Sequence, residues 1–236
     1  MIENLNLHLI GIVIGLRYRA NFSIEDQLGK IADRILYSNN SFFNPNVFPK
    51  VYTDINEKVL VNELTKDHLV INNSNIILEI NFGEQFEVEN LDTIIKHFNE
   101  DIIEGIAKDH KITEINRIGF IRRYLFQIDN LAHSFIDKTI GATLKGINDI
   151  NLRFSKKIPE QESLVKLEVN DYYNAIFNVV KKANKQELAM SIDYQKYFDP
   201  FLRSYSQIKF DSFYKRANSF NNETYLNWLN KNYSIL

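Results

Sequence analysis

The sequence is similar to itself when it is shifted by 104 residues, and this internal repeat is the feature that most constrains the fold. Six residues are then identical between 14–33 and 118–137: Ile14 with Ile118, Gly15 with Gly119, Arg19 with Arg123, Phe22 with Phe126, Ile24 with Ile128 and Asp33 with Asp137. A duplicated unit leaves similarity of this kind. Two strand-to-helix junctions in an isoleucine-rich chain would also match at some positions, so the pattern leaves both origins open.

The first half of the chain predicts the order strand, helix, strands, helix. Residues 5–19 are apolar and rich in β-branched side chains, which is typical of a strand in the middle of a covered sheet. Ser23 and Asp26 fit the S-x-x-[DE] pattern that begins a helix, and apolar residues follow at helical spacing. Short strands are expected at 51–54, 58–64, 69–71 and 76–82. A long helix capped by Asn90 completes this half.

The second half predicts the same order. Residues 115–128 form an apolar strand, and Asp129-Asn130 begins a helix that ends near Gly141 and Gly146. Strands are expected near 151–154, 164–169, 173–180 and 188–194, with the last hairpin turning at Asn184-Lys185. Asp199-Pro200 is expected to interrupt the chain, and two helices over 207–217 and 223–232 follow it.

These patterns predict an α+β fold. It consists of two similar β-α-β-β-β-α halves, residues 1–112 and 113–236, which could also form one continuous domain. The expected architecture is an antiparallel sheet with helices on one face. Its topology is similar to the duplicated TATA-binding-protein-like and ferredoxin-like folds, and that similarity carries no function by itself.

Two short segments resemble a sporadically distributed family of uncharacterised bacterial proteins. The first is Ile14-Gly15-Leu16-Arg17-Tyr18, and the second is Asn116-Arg117-Ile118-Gly119-Phe120 near mid-chain. Members of that family have a strand ending in Leu-Arg-Phe or Leu-Arg-Tyr and a related Arg-Ile-Gly-Leu-Arg-Tyr segment. Here Phe120-Ile121-Arg122 stands where Leu-Arg-Tyr is expected. The resemblance supports the fold and implies no activity, and the sporadic distribution suggests a bacterial defence (antiviral) or stress system.

Composition excludes several classes of site. The chain has no cysteine, which excludes disulfides, thiolate metal sites and cysteine nucleophiles. Its net charge is −2, which argues against a protein that mainly grips duplex DNA, although a local basic patch remains compatible. The first residues carry an acidic side chain and no basic segment, unlike a signal peptide, and no apolar run is long enough to cross a bilayer. We therefore expect a cytoplasmic protein.

The usual motifs of catalysis and cofactor binding are absent from the sequence. It contains no G-x-x-x-x-G-K-[ST], G-x-G-x-x-G, H-E-x-x-H or G-x-S-x-G. Gly11 and Gly15 lie inside a strand, where they indicate a close backbone approach or a bulge. His97 and Asp101 share one helix face and could hold a metal, although a solvated helix surface gives the same spacing. We predict no catalytic residue, no cofactor and no metal.

Arginines and lysines supply the candidate contacts to an anion or a nucleic acid. Arg17 and Arg19 are expected on one strand face, and Arg123 is the repeat equivalent of Arg19. If the halves pack about a two-fold axis, these side chains could form one cationic patch; alternatively they pair with nearby carboxylates. The predicted contact residues are Arg17, Arg19, Arg117, Arg122, Arg123, Lys181, Lys182 and Lys185.

Aromatic side chains are abundant in the last third; they could fill the core, stack nucleic-acid bases beside Lys181, Lys182 and Lys185, or form a protein interface. The predicted interface residues are Tyr214, Tyr225, Trp228 and Tyr233. Our leading hypothesis is a non-catalytic interaction protein, a subunit of a bacterial complex that binds another protein or its own copy. The alternative is a nucleic-acid-binding module that uses the arginine-bearing strands. An enzyme with an unrecognised site is the third possibility, and no membrane partner is expected.

Overall fold

The computed structural model describes residues 7–37, 43–54, 57–82, 89–127, 150–159, 171–181 and 187–227. Nine strands lie within these residues: β1 Leu7–Tyr18, β2 Lys50–Thr53, β3 Glu57–Asn62, β4 Asp67–Asn72, β5 Asn75–Asn81, β6 Ile115–Gln127, β7 Ile150–Pro159, β8 Tyr172–Lys181 and β9 Glu187–Leu202. They form one antiparallel sheet in the order β2-β3-β4-β5-β1-β6-β9-β8-β7. The expected α+β class with an antiparallel sheet is confirmed.

The centre of the sheet is the antiparallel pair of β1 and β6. Gly15 lies opposite Gly119 in this pair, and Arg17 lies opposite Arg117. On each side of the pair the remaining strands follow in descending chain order, from β5 to β2 on one side and from β9 to β7 on the other. Both halves of the chain therefore contribute to a single sheet.

The described helices cover one face of this sheet. They are α1 Phe22–Asp26, α2 Leu28–Tyr37, α3 Glu89–His97, α4 Gly105–His110 and α5 Phe210–Ser219. A π-helical segment, Phe98–Glu104, joins α3 to α4, and a second one, Phe220–Leu226, continues α5. Each helix supplies buried side chains to the same core as alternate residues of the strands, such as Ile12, Ile14 and Leu16. None of the described helices is long and apolar enough to span a membrane.

The predicted apolar face of the first helix is confirmed, and its cap is corrected. Ile24, Leu28 and Ile35 are all buried in the core. The helix begins two residues earlier than the serine pattern indicated, because the Asn21 side-chain oxygen accepts a hydrogen bond from the Ser23 amide at 3.1 Å. Asn21 therefore satisfies one of the free amides of the first turn.

The first half has one strand more than the β-α-β-β-β-α description. Four strands, β2 to β5, lie between α2 and α3, and the predicted hairpins between β2 and β3 and between β4 and β5 are both present. The predicted strand at 164–169 and the helix at 129–140 fall outside the described residues. β7 and β9 extend beyond their predicted ends. Their outer residues alternate only weakly between polar and apolar side chains, so the sequence pattern predicted strands that are too short.

Asp199-Pro200 does not end the sheet. β9 continues through this cis peptide to Leu202, and the strand bulges there instead of stopping. Arg117 pairs with Tyr197, whereas Ile115 pairs with Leu202, so four residues of β9, 198–201, lie opposite the single Asn116 of β6, three more than regular pairing requires. On its other edge β6 also carries one extra residue, because Tyr18 pairs with Ile115 and Arg17 with Arg117, which leaves Asn116 unmatched. Both irregularities lie at the same end of the sheet.

The second face of the sheet carries none of the described helices. It is formed by the alternate residues that point away from the core, among them Val13, Ile77 and Ile121, which remain half-buried. The side-chain period of two along a strand separates these residues from the core set. We call this surface the open face.

Candidate functional site

Two arginines lie side by side on the open face, one on each central strand. Arg17 on β1 and Arg117 on β6 are direct register partners, so their Cα atoms are about 5 Å apart. Arg17 is exposed and Arg117 is half-buried. Neither arginine forms an ion pair with a carboxylate in the described part of the chain. Like charges directly opposite each other destabilise a sheet, so this pair needs a further explanation.

A groove of about 350 Å³ opens beside the two arginines. We call it the arginine groove; its lining residues are Arg17, Asn116, Arg117, Tyr172, Tyr197, Phe198, Asp199 and Phe201. A shallower depression of about 120 Å³ begins at the same arginines and runs over Gly15 and Gly119. Since glycines have no side chain, the middle of the open face is low there.

The two strand irregularities build the wall of the arginine groove. Asn116 is the extra residue of β6, and Phe201 belongs to the extra segment of β9. Bulges of this kind redirect side chains and are common beside functional sites. Phe201 is 52% exposed, and the side-chain oxygen of Asn116 is buried without a hydrogen-bond partner. The groove lining thus includes an exposed aromatic ring and an amide whose buried oxygen has no hydrogen-bond partner among the described residues.

A row of hydrogen bonds along β9 fixes one arginine. Arg117 Nη1 donates to the Tyr197 hydroxyl at 3.3 Å, and that hydroxyl donates to Gln195 Oε1 at 2.8 Å. Gln195 Nε2 in turn donates to Asp193. Burial raises the pKa of Asp193 to about 6, although Gln195 and the nearby Arg117 and Arg153 favour its ionised form. The row holds Arg117 while leaving Arg17 without such support.

Two stacked tyrosines continue the site away from the arginines. The rings of Tyr172 and Tyr197 lie 4.8 Å apart at 7°, which is a parallel stack. Arg117 Cζ lies 5.7 Å from the Tyr197 ring centre, and Lys157 Nζ lies 4.0 Å from the centre of Tyr172. Cations at such distances are attracted to the ring faces. The stack therefore links the arginines to a cation on β7.

Positive charge dominates this half of the open face. Strand register places Arg153 and Lys157 of β7 on the same face as Arg17 and Arg117. Asp193 on β9 and Asp199 in the lining of the groove are the acidic side chains that oppose them among the described residues. Although the chain as a whole has a net charge of −2, its surface here favours an anionic ligand.

The predicted convergence of Arg19 with Arg123 is wrong. β1 and β6 run antiparallel with Gly15 opposite Gly119, so these two equivalent arginines lie at opposite ends of the pair. Arg123 pairs with Gly11, eight residues from Arg19 and thus roughly 25 Å away along the strand. Arg19 instead pairs with Glu114 at 2.6 Å, and Arg123 pairs with Glu79 at 2.6 Å. Both of these arginines are neutralised within the chain.

Two further predicted residues belong to the core side of the sheet. Arg122 is 8% exposed and points toward the helices, where its guanidinium contacts the side chains of Asn218 and Asn222. Tyr214 is also 8% exposed; it packs edge-on against Phe120 and donates a hydrogen bond to Asp92 at 2.8 Å. Their burial removes Arg122 from the predicted anion contacts and Tyr214 from the predicted protein interface.

The remaining predicted residues lie at the limit of the described chain. Lys181 is the last residue of β8, but its side chain, like that of Tyr225, is outside the described part. Lys182, Lys185, Trp228 and Tyr233 also lie outside the described residues. The anion-contact set is therefore reduced to Arg17 and Arg117 among the described candidates.

The predicted contact residues did not include Asn116, Lys157, Tyr172, Tyr197 or Phe201. One signal pointed to their neighbourhood. A proline inside a strand pattern marks a bulge or an edge, and Pro200 stands beside the extra segment of β9. The pairing of Arg17 with Arg117 had no local signal, because it depends on the register between distant strands.

The histidine considered as a metal ligand has an internal partner. His97 Nδ1 lies 2.8 Å from Asp101 Oδ2 on consecutive turns of the helix. Within the described residues no group of three histidine or acidic side chains could hold a metal ion. His97 and Asp101 therefore contact each other on the surface of one helical segment.

The sequence matches no family model and no curated protein. The family resemblance carried by Ile14-Gly15-Leu16-Arg17-Tyr18 therefore stays a prediction. The function proposed next rests on the geometry of the arginine groove alone.

Proposed function

We propose that this chain is a non-catalytic binding protein that holds an anionic group of its partner between Arg17 and Arg117. The observation that carries the proposal is the placement of two arginines opposite each other, without a carboxylate partner among the described residues. Paired guanidinium groups bind phosphate and carboxylate oxygens through several hydrogen bonds at once. A bound anion would also remove the repulsion between the two side chains.

The groove supports binding rather than chemistry. Its polar groups are two guanidinium groups, the Asn116 amide, two phenols and the exposed carboxylate of Asp199, and burial raises the pKa of Asp193 in the neighbouring depression. A nucleophile next to a general base is absent from the groove-lining residues. The proposal that the chain is a subunit of a bacterial defence or stress complex is supported by the family resemblance.

We also propose that the two halves arose by duplication. A shift of 104 residues superposes Gly15 on Gly119, and these residues are direct partners in the central pair. A two-fold axis between them would relate β5 to β9 and β4 to β8, in agreement with the strand order. Such an axis relates Arg17 to Ile121 and Arg117 to Val13, so the arginine groove exists at one end.

The proposed function is tested by titrating inorganic tripolyphosphate into the purified chain by isothermal titration calorimetry. The test variant carries Arg17→Gln with Arg117→Gln. The matched control carries Lys30→Gln with Lys108→Gln, which removes the same charge from exposed helix positions. We expect the arginine variant to lose at least tenfold in affinity, because each charge-assisted hydrogen bond is worth about 1.5–3 kcal/mol, and the control to bind as the unaltered chain does.

Circular dichroism and thermal melting of both variants show whether the fold is retained. Equal weakening in the control would mean that net charge, and not the groove, attracts the anion. Unchanged binding in the arginine variant would overturn the proposed function.

A further inference from the structure

We infer that the partner is a single-stranded nucleic acid, of which one nucleotide occupies the arginine groove. This inference rests on the proposed function and specifies its ligand. The groove combines a paired cation, an exposed aromatic ring and one carboxylate, Asp199, within about 350 Å³. A nucleotide offers a phosphate to the arginines and a planar base to the aromatic ring.

The phosphate fits the two arginines. Arg17 and Arg117 project from adjacent positions on neighbouring strands, so both guanidinium groups reach one anion. Arg117 is already oriented by the Tyr197 hydroxyl, which reduces the conformational entropy lost on binding. Arg17 is exposed and closes the clamp from the other side.

The base fits the bulged side of the groove. Phe201 is 52% exposed, so its ring offers a face on which a base can stack. Asn116, the bulged residue of β6, lines the same groove.

The neighbouring surface fits the rest of a strand. Lys157 and Arg153 continue the positive charge across β7, beyond the stacked Tyr172 and Tyr197. Proteins that bind single strands combine a basic track with aromatic side chains in this way. A duplex keeps its bases stacked and paired, so it cannot place one against Phe201. An acidic peptide could use the arginines, and the experiment below separates this partner from the inferred one.

The test measures fluorescence anisotropy of a fluorescein-labelled single-stranded oligonucleotide of mixed sequence, about 12 nucleotides long to cover one binding site. The matched duplex serves as the second probe. Four proteins are compared: the unaltered chain, Arg17→Gln with Arg117→Gln, Phe201→Ala, and the control Lys30→Gln with Lys108→Gln. Thermal melting verifies that each variant is folded.

We expect the unaltered chain to prefer the single strand, with the arginine variant binding at least tenfold more weakly. The slope of log affinity against log salt should fall by about 0.7, the value for one phosphate contact on a single strand. Phe201→Ala should weaken binding roughly tenfold, in keeping with the loss of one stacked base. The lysine control should change neither quantity.

Three outcomes would overturn the inference. If tripolyphosphate binds through Arg17 and Arg117 but the oligonucleotide does not, the proposed function stands and the partner is another anion, to be tested with a poly-glutamate peptide. If the oligonucleotide binds equally well to the arginine variant, its site lies elsewhere. If the duplex binds as tightly as the single strand, no base enters the groove. Failure of both tripolyphosphate and oligonucleotide would overturn the proposed function as well.

Discussion

At the scale of single residues, a glycine of β1 decides where an arginine can lie. Arg123 crosses β1 at Gly11 to reach Glu79 and Asn81 on β5, with Nη distances of 2.6 and 2.8 Å. A Cβ atom at Gly11 would come within 2.6 Å of both Arg123 Nη2 and the Ile80 carbonyl oxygen. The expected close approach at this glycine is confirmed, and it ties three strands together.

Gly11→Ala should therefore destabilise the protein by about 1–3 kcal/mol, as overpacking does in a filled site. The side chain of Arg123 can move, but the Ile80 carbonyl belongs to the sheet. Urea denaturation followed by circular dichroism measures the change. Gly29→Ala is the control, since nothing lies within 4 Å of its added Cβ in α2. That substitution should raise stability by up to about 1 kcal/mol.

Asp193 gives the stability of the fold a dependence on pH. Burial raises the pKa of this carboxyl group from 3.8 to about 6, so the folded chain holds the proton more tightly than the unfolded chain. Its contribution to the free energy of unfolding is complete below 3.8 and is lost as the pH rises through about 6.

Asp193→Asn should remove this part of the pH dependence. As the pH rises from 3.8 to above 6, we expect the free energy of unfolding of the unaltered chain to fall relative to that of the variant. The expected fall is about 1.4 kcal/mol for each unit by which the pKa of Asp193 differs between the folded and unfolded chain. Urea denaturation at half-unit pH intervals gives the difference between the two proteins. Parallel curves would contradict the expectation.

At the scale of elements, bulges turn the end of a regular sheet into a groove. β6 has one residue more than β1 at Asn116, and β9 has three residues more than β6 within 198–201. A regular pairing at both places would continue the flat open face past Arg117. The strand pattern predicted where β6 and β9 run, but a bulge is a relation between two strands and leaves little trace in either one. Pro200 was the single local sign.

The end of β1 at Tyr18 gives two nearby arginines different roles. Arg17 lies on the open face without a described partner, whereas Arg19 lies beyond the strand and pairs with Glu114 on the surface. We expect Arg19→Ala to leave tripolyphosphate affinity within about twofold and to lower stability by less than 1 kcal/mol, as for exposed ion pairs. Arg17→Ala should weaken binding while melting at the same temperature. Calorimetry and thermal melting of both variants provide the comparison.

At the scale of the whole molecule, both halves share one core and one sheet. β1 and β6 pair along nearly their full lengths, and side chains from α2, α3 and α5 join a single hydrophobic cluster. Separation would expose the edges of both central strands and the apolar residues beneath them. Neither half, 1–112 or 113–236, should therefore fold alone.

Thermal circular dichroism of the two separately expressed halves checks this expectation. We expect no cooperative transition in either half, because each loses its longest strand pairing and part of its buried area. Co-expression should restore a cooperative transition if the halves reassemble. A sharp transition in one isolated half would contradict the shared-core argument.

Sequence reasoning succeeded where the information is local. Periodicity located the strands and the buried face of α2, and it identified Arg17 and Arg117 as polar features. It failed where strand register decides which residues are close in space. The repeat offset suggested that Arg19 and Arg123 converge. In the antiparallel pair of β1 and β6, however, equivalent residues lie on opposite sides of the two-fold axis between Gly15 and Gly119. The burial of Arg122 and of Tyr214 also depends on contacts between distant parts of the chain: Arg122 contacts Asn218 of α5, and Tyr214 of α5 packs against Phe120.

The position of the Gly15–Gly119 pair gives the open face a direction. At one end lie Arg17 and Arg117, and at the other lie Val13 and Ile121, with Arg123 already bound to Glu79. The open face therefore has one anchor and not two: it holds an anionic unit beside Arg17 and Arg117, whereas the positions related to them by the repeat are apolar.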